Sequence, residues 1–318
     1  MQGRLGIFQG GSLDLNIWRA RFADWLKTRY PSKDTINNYT RGLEPFLIFI
    51  DGHRPSSWSD VNRDWLEEFR NHLFAHRTKT GRALANGTVT ARLLAVKTFF
   101  RFLVQQGFLM ASPAAYLELP RVTKPLPSVL TEAEMICLLN TPNLRTRAGI
   151  RNRAILEMLY GTGIRNHELV ALRLGDVDAH HGFVRLPKAK GNKPRVVPIG
   201  QEALHWLNRY LEEVRPFWLR NPSLDSIFLD RWGQNALSGQ GLSNLVREIC
   251  VQTGLGKRIT PHTLRHSCAT HMLRNGAGLR QVQELLGHSQ ITSTEHYTRV
   301  EVSDLRKTLA RCHPRERQ

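Results

Sequence analysis

Six side chains in this sequence are of the types that a phosphodiester transfer needs: Arg165, Lys190, His262, Arg265, His288 and Tyr297. A phenol can attack phosphorus, an arginine can hold the charge that builds on the phosphate oxygens, and imidazoles can pass protons. Four of the six fall in the run 260–299, T-P-H-T-L-R-H-S-C-A-T-H-M-L-R-N-G-A-G-L-R-Q-V-Q-E-L-L-G-H-S-Q-I-T-S-T-E-H-Y-T-R. His262 and Arg265 are three residues apart, so a helix presents them on one face. Leu264, Cys268 and Met272 form an apolar stripe that anchors the helix elsewhere. Alone, H-x-x-R is a common pattern. Together with G-I-R-N-H-E-L (163–169) upstream, the set reads as cutting and rejoining DNA.

Each residue needs an element to hold it. Thr260-Pro261 supplies an N-cap and a first-turn proline, a firm helix start for His262 and Arg265. Gly161-Thr162-Gly163 stops one helix, and Asn166 opens the next. Arg165 therefore sits at a helix N-terminus, a natural phosphate site. Taken by itself it is an ordinary surface arginine after a turn. Glu168, three residues on, is placed to hold that arginine or to cap its helix. Lys190 lies at the tip of a hairpin predicted from the β-branched runs 182–186 and 194–199 around K-A-K-G-N-K. From there it can donate a proton to a leaving oxygen, while Lys188 and Lys193 touch phosphates for affinity. Tyr297 has polar neighbours, His296, Thr298 and Arg299, which favour an accessible hydroxyl.

The chain has 318 residues, room for two domains, and 41% hydrophobic content, enough for a real core. Its net charge of +18 calls for a polyanionic partner, most simply duplex DNA. No apolar run approaches a membrane span, and the first ten residues lack the apolar core of a signal peptide. The cysteines Cys137, Cys250, Cys268 and Cys312 are far apart, which suits free thiols in a reducing cytoplasm. His262, His266 and His271 share no helix with a carboxylate, H-E-x-x-H is absent, and no P-loop occurs. Neither metal nor cofactor is expected.

Apolar periodicity predicts helices over 13–30, from Ser32 or Asp34 to Asp51-Gly52, over 62–74 and over 88–105, with a basic loop at 77–87. Four prolines between 113 and 127 mark a linker. The reading is an all-helical DNA-binding domain at 12–118, a linker at 119–128 and a second domain at 129–318. That second domain opens on a capping box at Thr131–Glu134. Further helices are predicted at 149–160, 166–173, 201–214, 240–253 and 279–286, giving a mainly α fold with a small β-sheet. Candidate DNA contacts are Arg77, Lys79, Arg82, Arg92, Lys97 and Arg101 in the first domain.

The motifs G-T-G-I-R-N-H-E-L, K-G-N-K, H-T-L-R-H and L-L-G-H-S…H-Y-T resemble, in order and spacing, the catalytic domain of the tyrosine recombinases, the phage integrase family, in its bacterial Xer-like branch. The resemblance covers 126–309, and no long insertion of the integron-integrase kind falls between Pro198 and Thr260. It implies that Arg165 and Arg265 clamp the scissile phosphate and that Lys190 protonates the departing 5′-hydroxyl. His262 would accept the phenolic proton or orient the phosphate, and His288 would brace the transition state. Tyr297 would attack to leave a 3′-phosphotyrosine link, which stores the bond energy so that rejoining needs no ATP. Glu168 would be structural, and His167 receives no role. The family further implies a SAM-like core-binding domain, a C-shaped clamp on DNA, and a homo-tetramer formed when the helix at 302–309 docks on a neighbour. That helix, with Val302, Leu305 and Leu309 on one face, could instead fold back on its own domain. The biological setting stays open between integration, excision, transposition and chromosome-dimer resolution, with or without a partner recombinase or accessory factor. Two other readings remain: a type IB topoisomerase-like relaxase and a catalytically silent DNA-binding regulator.

Overall fold

The computed structural model describes residues 13–78, 80–121, 128–186, 195–287 and 302–316. Two compact units divide the chain, Met1–Pro125 and Leu126–Gln318.

The first unit is helical: α1 (Leu15–Arg29), α2 (Lys33–His53), α3 (Arg63–Ala75) and α4 (Asn86–Gln105). Side-chain caps start the first three: Asp14 accepts from the Asn16 and Ile17 amides, Ser32 from Thr35, and Asn62 from Trp65. α2 runs past the expected stop at Asp51-Gly52 to His53, because its buried face (Leu43, Phe46, Leu47, Ile50) outweighs both Gly52 and the internal Pro45. The core is dense in aromatic rings meeting edge to face, such as Phe46–Phe69 at 5.1 Å and Trp58–Phe99 at 4.9 Å. The basic loop is a tight turn. The Thr78 amide donates to the Arg82 carbonyl at 2.8 Å, and Arg77 pairs with Ala83.

The second unit is built around α6 (Arg147–Thr162), buried at every position from Gly149 to Thr162 except Asn152. Around it come α5 (Glu132–Asn140), whose capping box joins Thr131 and Glu134, then α7 (Asn166–Ala171) and α8 (Gln201–Glu213). The short α9 (Arg215–Trp218), α10 (Gly239–Thr253), α11 (Pro261–Arg274), α12 (Leu279–Leu286) and α13 (Val302–Cys312) complete the α-helices of the described residues. β1 (Val177–Asp178), β2 (Phe183–Leu186) and β3 (Arg195–Pro198) form an antiparallel sheet in that order. β2 and β3 are the expected hairpin; β1 and α9 are too short for periodicity to reveal. α7 ends at Ala171, two residues before the expected 173, because the Leu172 carbonyl accepts from the Ile227 amide at 2.9 Å.

α13 folds back on its own unit, the second of the two arrangements left open by the sequence. Leu305, Leu309 and Cys312 are buried against it. The tail beyond is tied down too. His313 donates to the Tyr160 carbonyl at 3.2 Å, Arg315 pairs with the fully buried Glu157 at 2.9 Å, and Glu316 accepts from the Gln201 amide at 3.1 Å. Burial pushes the His313 imidazole down to about 4, so it is neutral when seated. α11 is anchored in turn: His271 Nε2 donates to the Leu130 carbonyl at 2.7 Å, and its Nδ1 accepts from the Tyr160 hydroxyl at 2.8 Å.

Candidate active site

α6 must end abruptly for the site to form. It stops on Gly163, whose φ of +60° suits glycine, and a Cβ there would meet Leu286 Cδ2 at 2.7 Å. The chain turns and Arg165 becomes the N-cap residue of α7. Glu168 performs both of the tasks its spacing suggested. Its Oε2 accepts from the Arg165 amide at 2.7 Å and its Oε1 from the Arg165 guanidinium at 3.0 Å. The other Arg165 terminal nitrogen donates to the Gly287 carbonyl at 2.7 Å.

Arg265 enters from α11. It shares a helix face with His262, as the spacing predicts, and is only 5% exposed, whereas His262 is open to solvent. Its guanidinium donates to the Gly163 carbonyl at 2.5 Å and the Leu286 carbonyl at 2.6 Å. Burial, with the nearby charges of Arg165 and Arg195, lowers its pKa to about 10, which leaves it a cation at neutral pH. Carbonyls at the negative end of α12 therefore hold both arginines.

The sequence reading missed Arg195. It bridges Glu168 with both terminal nitrogens, at 2.7 and 2.9 Å. Strand parity carried the signal: Arg195 shares a strand face with the buried Val197, and an arginine pointing inward needs a carboxylate. Burial alone would raise the Glu168 carboxyl. The hydrogen bonds from Arg195 and the Arg165 amide, with the charges of both arginines, outweigh it and hold the group at about 2. Two guanidiniums thus share one carboxylate with Arg265 close by, and the surplus positive charge faces a cleft of about 360 Å³ lined by Arg165, Asn166, His167, Pro261, His262 and Arg265. Asn166 pins the start of α7 to that of α10, donating to the Gly239 carbonyl and Ser243 Oγ, both at 3.1 Å.

Of the six expected site residues, the structure brings Arg165, His262 and Arg265 to this cleft. Lys190, His288 and Tyr297 lie outside the described residues, as do the proposed DNA contacts Lys79, Lys188 and Lys193. Arg82 and Arg101 are exposed and Arg92 half-buried. Two others have internal work. Lys97 donates to the Ala115 and Leu117 carbonyls at 3.0 and 2.9 Å, and Arg77 to the Phe74 and Ala75 carbonyls at 3.0 and 2.9 Å.

Gly287, the residue before His288 in sequence, gives a direct test of this packing. Its φ is +65°, and a Cβ would meet the Arg195 guanidinium carbon at 2.7 Å. Gly287→Ala is expected to push Arg195 off Glu168 and slow single-turnover DNA cleavage by roughly ten- to a hundredfold. Duplex affinity should stay within about twofold, since the surface charge is intact. Cleavage at the parent rate would show that Arg195 does not position the site.

Comparison with known proteins fits this geometry. Residues 128–303 match the phage integrase family and 20–107 the phage integrase N-terminal SAM-like domain. Tyrosine recombinase XerD of Staphylococcus epidermidis is 38% identical over 284 residues, 89% of this chain and 94% of that protein. Among solved structures, XerH site-specific recombinase bound to its difH substrate aligns with a TM-score of 0.68 and 21% identity over 96% of this chain and 98% of that one. A lambda integrase dimer bound to a COC′ core site aligns with a TM-score of 0.67 and 17% identity over 90% and 99%. These two likenesses establish the fold.

Proposed function

The chain belongs to the phage integrase family, and from that premise we propose how its own residues divide the work of the reaction. It is a site-specific tyrosine recombinase, an enzyme that breaks and rejoins DNA strands. Arg165 and Arg265 take the nonbridging oxygens of the scissile phosphate, His262 receives the phenolic proton or orients the phosphate, and Tyr297 attacks phosphorus. The 3′ side of the broken strand becomes a phosphotyrosine ester, and the 5′ oxygen leaves with a proton from Lys190. His288 steadies the pentavalent state. The observation that carries this reading is the pair of guanidiniums held on the same cleft by the carbonyls of Leu286, Gly287 and Gly163. Cations fixed before charge develops lower a phosphoryl-transfer barrier without reorganising during the reaction.

The DNA partner is duplex. The SAM-like unit and the catalytic unit grip it together, with Arg82, Arg92 and Arg101 on the first and Lys188 and Lys193 on the second as phosphate contacts. Exchange takes place in a homo-tetramer, in the cytoplasm. For α13 to link protomers it must first leave its own unit, exposing Leu305, Leu309 and Cys312 and breaking the Arg315–Glu157 pair.

The test is to incubate two plasmids, each carrying the site at which the protein forms covalent adducts, and to look for joint molecules. The reading expects joints only between site-bearing plasmids. Relaxation of supercoiled plasmids regardless of site, without joints, would support the topoisomerase-like alternative.

A further inference from the structure

His167 has no role in the reading above, yet it is exposed on the wall of the same cleft as Arg165, His262 and Arg265. No hydrogen bond ties its ring to any described residue, whereas three of the side chains that share the cleft with it are engaged. Arg165 holds Glu168 and Gly287, Asn166 holds Gly239 and Ser243, and Arg265 holds Gly163 and Leu286.

Two arguments give this imidazole a ligand. The first is place. Arg165 is the N-cap residue of α7 and His167 its second residue, and both line the cleft. The second is charge. Arg165 and Arg265 already crowd the site, and their mutual repulsion contributes to the lowered pKa of Arg265. A further permanent cation would add to that repulsion. An imidazole donates an N–H whether neutral or protonated, so it can bind a phosphate oxygen without fixed charge.

We propose that His167 donates a hydrogen bond to a phosphodiester next to the scissile one on the cleaved strand, and so sets the register of that strand over Arg165 and Arg265. The inference rests on the recombinase reading of the cleft. It makes His167 a substrate contact that acts on binding and register rather than on the proton transfers.

The test uses the full-length protein and a duplex carrying its mapped site. His167→Ala should weaken equilibrium binding by about tenfold or more, the loss of one hydrogen bond to a charged group. His167→Gln, which restores an N–H donor, should recover most of it. A series of duplexes, each with one uncharged methylphosphonate on either side of the scissile phosphate, locates the contact. At one position the parent should lose the same factor, and His167→Ala should no longer differ from it. Parent-like affinity of His167→Ala on natural DNA would overturn the proposal. So would a penalty that persists at every methylphosphonate position, the mark of a merely structural effect. Binding is read without cleavage, so these outcomes stand apart from the recombinase reading, which is tested separately by covalent adducts and joint molecules.

Discussion

Arg265→Ala should lower the rate of covalent DNA cleavage at least a hundredfold, roughly the effect of removing one preorganised donor from a developing anionic centre. The expectation is at the upper end of that class because Arg265 does two things. It offers a buried cation to the cleft, and it ties the Gly163 turn to the end of α12 through carbonyls 123 residues apart in sequence. Arg265→Lys separates the two. Lysine keeps a charge, but its single ammonium cannot reproduce the planar fork that spans both carbonyls. It should regain duplex affinity but recover little of the rate. Recovery of cleavage by lysine to within a few-fold of the parent would show that charge alone suffices and that the fork is incidental.

Glu168→Gln should destabilise the catalytic unit by about 3–5 kcal/mol, because it removes the buried carboxylate that pairs with Arg165 and Arg195. For a unit of this size that is a fall in Tm of roughly 10 °C. The pH dependence has a definite sign. The folded carboxyl is held at about 2, below its ordinary 4.5. Its stabilisation is therefore fully present above about pH 4.5 and is lost as the pH falls toward 2. The gap in stability between parent and variant, read by denaturant unfolding, should be constant near neutrality and close between pH 4.5 and pH 2. A gap that stays open at pH 2 would mean that the ionised carboxylate is not what holds the arginines.

Local signals in the sequence located much of this site. Thr260-Pro261 announced the start of α11, Gly163 the end of α6, and the three-residue step to Glu168 its grip on Arg165. These devices work within one turn of chain, so residue type and spacing reveal them. Arg195 and the close approach of Gly287 to it were not read, because they lie in contacts across 27 and 92 positions that no periodicity records. The burial of Arg265 was not read for a related reason. H-x-x-R gives the angle of a side chain around the helix but not what covers it, and here α12 and the Gly163 turn do. Lys97 shows the limit of reasoning from composition. Its charge counted toward DNA, but its ammonium secures the chain after α4.

In the proposed reaction the phenolic oxygen of Tyr297 becomes joined to the DNA. The protein should be incubated with a nicked duplex carrying its site, so that the cleaved strand cannot be rejoined. The SDS-resistant adduct is then digested with nuclease and protease and sequenced by mass spectrometry. The account predicts a nucleotide 3′-phosphate esterified to the phenol of Tyr297, and no adduct from Tyr297→Phe under the same conditions. A nucleotide on any other residue, or an undiminished adduct with Tyr297→Phe, would contradict it.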